Sequence, residues 1–284
     1  MKRETILLNG ISYPFTPGET ILQTAKRHGI DLPSLCHLDR AEPRDRCGVC
    51  VVELSGKDDL VRACSTKSES WMDVKTESPR VVEARKAAVQ SLLDSGFHNC
   101  AVRGGAHSAE WTEFQLAVQK SDEAEALCPV WGDCRLQDLA YRYQVHGENL
   151  KPAAEYPKQT MNPFIYRDYS RCIRCGRCTA ACNEIQVNLA IEPKEGEFPL
   201  ATDDCVFCGE CVQACPVGAL VEKQARYRVR PWETTKVRTT CSYCGVGCQM
   251  YLHVKDGKVV KVTGVEGVGP NYGSLCVKGR FGFD

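Results

Sequence analysis

Two stretches decide how this chain folds: "CIRCGRCTAAC" (172–182) and "CVFCGECVQACP" (205–216). Each spaces its cysteines C-x2-C-x2-C-x3-C, so four thiols are gathered within one short segment. Thiolates are soft ligands, suited to zinc or to iron–sulfur clusters. A glycine, Gly176 or Gly209, follows the second cysteine of each run, where the backbone must come close to whatever the thiolates hold. Pro216 follows the last cysteine of the second run, whereas the first run has Asn183 there.

The pair of runs resembles a two-cluster bacterial ferredoxin, in which the fourth cysteine of each run ligates the other run's cluster. The resemblance implies one [4Fe–4S] cluster on Cys172, Cys175, Cys178 and Cys215, and a second on Cys205, Cys208, Cys211 and Cys182. Zinc is the alternative for these eight thiols.

Working toward the N-terminus, Cys36, Cys47, Cys50 and Cys64 form a group spaced C-x10-C-x2-C-x13-C. Before it, "TILLNGISYPF" reads as two short strands joined at Asn9-Gly10. "ETILQTAKRHG" reads as a helix with Ile21, Leu22 and Ala25 on one face and Gly29 as its stop. After Cys50, "VVEL" reads as a strand. Hairpin, helix, cysteine loop and strand resemble a β-grasp ferredoxin of the kind found in complex I's large iron–sulfur subunit and in iron-only hydrogenases. Four thiolates there can hold a [2Fe–2S] cluster, two on each iron. A four-cysteine zinc site is the alternative.

The next group is less regular. "VVEARKAAVQSLLDSG" reads as a helix with Val82, Val89, Leu92 and Leu93 on a shared face. It leads into "FHNC", with His98 and Cys100, and after a gap comes "CPVWGDCRLQDLAYRY", with Cys128 and Cys134. This is similar to the [4Fe–4S] domain of the same families that is held by one histidine and three cysteines. The resemblance makes His98 the nitrogen ligand, with His107 the competing choice. It departs from the family where an insert separates Cys100 from Cys128. Trp111, Phe114 and Val118 lie at helical spacing in that insert, which reads as a packed helical excursion.

Toward the C-terminus, Cys241, Cys244, Cys248 and Cys276 are spaced C-x2-C-x3-C-x27-C. Between them, "QMYLHVKDGKVVKVTG" alternates apolar and polar residues about Asp256-Gly257, the pattern of a β-hairpin. "CSYCGVGC…SLCVKGRFG" resembles the N-terminal [4Fe–4S] domain of molybdopterin oxidoreductases, cytoplasmic formate dehydrogenase α subunits in particular. In that family the lysine two residues after the fourth cysteine lies between the cluster and a pterin, which makes Lys278 a cofactor-binding candidate. A solvated surface lysine is the alternative.

The four groups hold four, three, eight and four cysteines, and none of the nineteen is left over. With one histidine completing the second group, the chain has ligands for one [2Fe–2S] and four [4Fe–4S] clusters. The expected fold class is α+β, in four modules: a [2Fe–2S] ferredoxin-like domain at 1–79, a small helical histidine-ligated [4Fe–4S] domain with its insert at 80–150, a two-cluster ferredoxin at 163–225, and a β-rich [4Fe–4S] domain at 235–284. Each segment is too small for a large core, so the clusters are expected to staple the fold. The linker "EKQARYRVRPWETTKVRTT" is expected to lie along protein surface rather than float free.

Thirty-six basic residues balance thirty-six acidic ones, giving no electrostatic case for nucleic acid as a partner. No segment approaches the roughly 18 apolar residues of a membrane span. The N-terminal stretch has no signal-peptide pattern, so the expected location is the cytoplasm, where clustered thiols bind metal. The resemblance as a whole implies a chain with no catalytic residue of its own, relaying electrons for a formate dehydrogenase. The molybdenum or tungsten bis-pterin would sit on a partner subunit or missing domain. A flavin and NAD(P)-binding iron–sulfur subunit, or a ferredoxin, would be the other partner. A wiring subunit of a hydrogenase or another pterin enzyme is the alternative, and a zinc scaffold is the reading of a different class.

Overall fold

The computed structural model describes residues 4–98, 128–147, 156, 158–159, 162–192, 200–201 and 204–283. In the N-terminal module β1 (Thr5–Leu8) and β2 (Ile11–Pro14) form a hairpin. Its turn uses Asn9 and Gly10 at φ of 53° and 80°, the left-handed pair that suits a two-residue hairpin. Strands β3 (Val51–Leu54), β4 (Val61–Arg62) and β5 (Asp73–Lys75) complete a sheet in the order β2-β1-β5-β3-β4, with β1 and β5 parallel. The helix Ile21–Arg27 begins with a capping box, in which the Thr20 hydroxyl accepts from Gln23 N–H and the Gln23 side chain accepts from Thr20 N–H. It buries Ile21, Leu22 and Ala25 against the sheet, as its spacing predicts, together with Thr24.

The helix Pro79–Leu93 has Ser78 as its cap, and its buried stripe is Val81, Arg85, Val89 and Leu93. Val82 and Leu92 lie at the edge of that stripe, half-buried. A charged residue can occupy the middle because its guanidinium is well partnered. Arg85 donates to Val51 O at 2.8 Å, Glu77 Oε1 at 2.9 Å and Tyr143 Oη at 3.2 Å. Tyr143 belongs to the helix Arg135–Tyr143, so the arginine ties the histidine-bearing module to the N-terminal sheet.

Strands β6 (Lys158–Gln159), β7 (Ile165–Asp168) and β10 (Leu220–Glu222) pair in the order β10-β7-β6. A small ladder, β8 (Ile191–Glu192) with β9 (Leu200–Ala201), lies between the two cysteine runs in the chain. The C-terminal module is an antiparallel sheet of β11 (Thr235–Thr240), β12 (Gln249–Lys255) and β13 (Lys258–Gly264). The β12–β13 turn places Asp256 and Gly257 at φ of 51° and 73°. The linker lies on protein: Arg226 stacks 3.7 Å from the Tyr166 ring, Arg230 donates to Cys128 O at 2.7 Å, and Trp232 meets Trp131 edge-on.

One difference from the sequence reading concerns the core. One continuous apolar cluster draws Leu35 and Val49 from the first segment and Val89 and Leu93 from Pro79–Leu93. Leu136 and Ala140 come from the next helix, and Ile173, Val217 and Ala219 from the cysteine runs and their flanks. The first three modules therefore share this cluster, while the N-terminal sheet and the C-terminal sheet each keep a smaller core of their own.

The C-terminal module is fastened by Arg280, whose side chain is fully buried. Its guanidinium donates to Cys208 O at 2.9 Å and Gln213 Oε1 at 2.9 Å, and pairs with the buried Glu210 at 3.4 Å. Phe281 stacks on Phe164 beside it, with ring centroids 4.8 Å apart. Arg280→Ala would strand the Glu210 carboxylate, and breaking a buried pair costs about 3–5 kcal/mol. The expected outcome is a lower unfolding midpoint in denaturant for the iron-loaded chain, with detachment of the C-terminal sheet visible as faster limited proteolysis.

Candidate metal centres

The two cysteine runs fold alike. Arg174 and Phe207 take φ of 52° and 56°, and the nearby Gly176 and Gly209 take 78° and 73°. Each glycine then opens a short helix, Arg177–Ala180 or Glu210–Ala214, which carries the third cysteine of its run. Gly209 has a further reason to lack a side chain. At Gly209 a Cβ would collide with the Arg280 side chain, whereas at Gly176 it would only touch Arg44, so there the positive φ is the reason. Asn183, in place of a proline, lets the first run continue into a turn of wider helix, Ala181–Ile185, where its amide donates to Ile191 O at 2.8 Å.

The thiols fall into sets through their mutual electrostatics. Burial raises the Cys175 thiol well above its ordinary value, with Cys215, Cys178 and Cys172 adding to the rise. Cys178 is pushed up to about 12 by burial, then by Cys215 and Cys172, with Cys211 of the neighbouring set adding to the rise. Cys182 is raised by burial and then by Cys211 and Cys205. Cys208 is pushed up to about 11 by burial, with Cys211 contributing. Cys215 of the second run thus sits with the first three cysteines of the first run, and Cys182 sits with the cysteines of the second. This is the placement that an exchange of fourth thiols between the runs requires.

In the N-terminal module the four thiols are linked to one another. Hydrogen bonds from Cys47 and Cys64 draw Cys36 far toward the thiolate, and Cys64 similarly lowers Cys50. The donors shift the opposite way: Cys36 holds both Cys47 and Cys64 strongly protonated. Arg46 N–H also points at Cys36 Sγ, 3.5 Å away.

His98, Cys128 and Cys134 are all buried. The His98 Nε2 atom has no hydrogen-bond partner, and burial, reinforced by Arg171, pushes the ring down to about 4. A neutral imidazole with an orphaned buried nitrogen is the form in which histidine binds metal. Cys134 Sγ lies 3.6 Å from Pro216 O, and a Cβ on Gly218 would be 3.0 Å from Cys128 Sγ, so this pair packs against the end of the second run. Cys100, His107 and the insert with Trp111, Phe114 and Val118 lie outside the described residues.

In the C-terminal module Cys248 feels Cys241, Cys244 and Cys276 together. Cys241 is buried, while Cys244 and Cys276 are exposed. Lys278, in the helix Val277–Phe281, is exposed.

No group of three or more His, Cys, Asp or Glu side chains among the described residues has the spacing that one metal ion requires. Sets of four soft thiolates suit a polynuclear cluster, whose own atoms separate the ligands. Sequence reasoning passed over the arginines behind the thiols. Arg177 is buried with Nε and Nη1 unpartnered beside Cys175 and Cys215, and Arg167 donates to Cys211 Sγ at 3.7 Å. Their position inside or just before a cysteine run was the available signal.

Comparison with known proteins finds iron–sulfur domains over three of these segments. Residues 2–79 match a 2Fe-2S iron-sulfur cluster binding domain, 166–222 a 4Fe-4S dicluster domain, and 234–284 the molybdopterin oxidoreductase Fe4S4 domain. An NADH-quinone oxidoreductase component of Rhizobium meliloti is 31% identical over 94% of this chain and 30% of its own length. The alpha subunit of NADPH-Fe(3+) oxidoreductase from Geobacter sulfurreducens is 30% identical over 98% of this chain and 31% of its own. A Staphylococcus haemolyticus protein that carries a formate dehydrogenase designation is 27% identical over 97% of this chain and 30% of its own. The chain therefore spans about three tenths of the curated relatives it matches. A chain in the crystal structure of an NAD+-reducing [NiFe]-hydrogenase is similar at a TM-score of 0.60 and 26% identity, covering 80% of this chain and 90% of that one. The chain is a multi-domain iron–sulfur protein of mixed helix and sheet, built for electron transfer.

Cys215→Ser tests the exchange of fourth thiols directly. The expected outcome is damage to the cluster signal that Cys172→Ser also removes, with the signal dependent on Cys208 retained; electron paramagnetic resonance (EPR) of the reduced protein reads both.

Proposed function

We propose that this chain is the electron-transfer portion of a formate dehydrogenase complex. It connects a molybdenum or tungsten bis-pterin site, where formate and CO2 interconvert, with a flavin subunit that binds NAD(P)H or with a ferredoxin. The observation that carries the reading is the order of matches: a 2Fe-2S domain, a dicluster domain and a molybdopterin oxidoreductase Fe4S4 domain in one chain. The formate dehydrogenase designation of the Staphylococcus relative, aligned over nearly all of this chain, supports the substrate. Likeness to a chain of the NAD+-reducing hydrogenase supports the second reading, a hydrogenase wiring subunit. That reading leaves the match at 234–284 without a task.

In this proposal Cys36, Cys47, Cys50 and Cys64 hold a [2Fe–2S] cluster. His98, Cys100, Cys128 and Cys134 hold a [4Fe–4S] cluster. Cys172, Cys175, Cys178 and Cys215 hold another, Cys182, Cys205, Cys208 and Cys211 a third, and Cys241, Cys244, Cys248 and Cys276 a fourth. Such a cluster, when bound, takes up or releases one electron at a potential set by its ligands and surroundings. The chain's residues fix where each thiolate points and keep water from the buried sets. No residue of the chain is assigned a catalytic role. The exposed Cys244 and Cys276, with Tyr243 and Val246 uncovered beside them, support docking of the pterin-binding catalytic domain on that face. Lys278 is proposed to lie between the last cluster and the pterin. Among the described residues no helix is long and apolar enough to cross a membrane. The buried free thiols suit a reducing compartment, and the cytoplasm is the proposed location.

Metal analysis of the native complex tests the whole reading: about eighteen irons per chain are expected, the sum of one two-iron and four four-iron clusters. Molybdenum or tungsten should co-purify, with formate-dependent reduction of the iron–sulfur signals. Iron without either metal, or signals reduced by H2 and not by formate, would move the assignment to the hydrogenase reading. His98→Ala should change one [4Fe–4S] signal while His107→Ala leaves it; the reverse pattern would place the ligand in the insert.

A further inference from the structure

Arg167 lies on β7 and is 1% exposed. A charged group in such a place is costly unless an opposite charge meets it. No carboxylate among the described residues pairs with it, and its Nε has no partner. Its guanidinium reaches Cys211 Sγ through Nη2, at 3.7 Å, and the Tyr169 phenol. The neighbouring Asp168 is engaged elsewhere, with the Ser170 hydroxyl and Arg171. The arginine is thus a buried cation that faces thiols and one phenol.

We propose that Arg167 is the fixed counter-charge that sets the reduction potential of the cluster held by Cys182, Cys205, Cys208 and Cys211. The proposal rests on the reading that those four thiolates hold a cluster. Reduction adds one negative charge to that ligand set. A permanent cation touching one of its sulfurs stabilises the reduced form more than the oxidised form, both through charge and through an N–H···S bond. The potential is therefore held higher than the same thiols would give alone. Arg167 acts as a tuning residue through Cys211 and takes no part in substrate chemistry.

The test is an EPR-monitored redox titration of the full chain, the relevant signal being the one that Cys208→Ser abolishes. Arg167→Gln removes the charge and keeps a polar side chain. It is expected to retain the wild-type iron content and to lower the midpoint of that signal. At a fixed potential the oxidised-to-reduced ratio should rise at least tenfold, which is about 59 mV for a one-electron couple. Arg167→Lys keeps the charge and should remain close to wild type. An unchanged midpoint in Arg167→Gln at full iron content overturns the tuning role and leaves the ligand assignment intact. Loss of the signal in both variants also overturns it, because the residue would then be needed for assembly alone. Absence of any Cys208-dependent signal in the wild type overturns the ligand assignment and the proposal together.

Discussion

The structure depends on a conflict between burial and ionisation. Thiolates are the form that binds metal, yet Cys175, Cys178, Cys211 and Cys215 sit where burial favours the neutral thiol. Cys175 and Cys211 lie inside apolar clusters with Ile173 and Val217, or with Ile165 and Leu220. Without a cation, these thiols would stay protonated and crowd one another. A metal cluster reverses the balance, because each thiolate then meets positive charge at its own sulfur. Folding and metal content are thus linked through the same side chains.

Buried arginines work on the same problem from outside the ligand sets. Arg85 and Arg280 are placed at joints, where each satisfies a backbone carbonyl and a carboxylate of a neighbouring segment. Arg44 pairs with Glu184 and lies over Gly176, so the loop beside Cys36 is held on the first cysteine run. Arg40 reaches from the N-terminal module to Ser274 Oγ of the last one at 3.2 Å. The first and last modules therefore touch at this point.

Ligand chemistry was legible in the sequence because it is local. C-x2-C spacings, the turns at Asn9-Gly10 and Asp256-Gly257, and the capped helix after Thr20 each depend on residues within a few positions. The proposed exchange of Cys182 and Cys215 rests on the repeat of one pattern. The shared core was not, since Val89, Leu136 and Ala219 reveal nothing of each other at their distances along the chain. Nor was the stripe of Pro79–Leu93, where Arg85 occupies a position that hydrophobic patterning would assign to an apolar residue. Gly209 was read as room for the cluster; it is also room for Arg280, which lies far along the sequence.

A core assembled from distant segments also imposes a schedule on maturation. The apolar cluster that encloses Cys36 and Cys47 is completed by Val217 and Ala219. Roughly 170 residues separate Cys47 from Ala219, which at ribosomal rates is about 10–35 s of synthesis. During that interval Cys36 and Cys47 lack part of their apolar cover. Cys241 and its partners emerge later, into a chain whose earlier segments can already have packed. Cys50 and Cys64, enclosed by residues 6–74 alone, do not wait for that completion; Cys36 and Cys47 do.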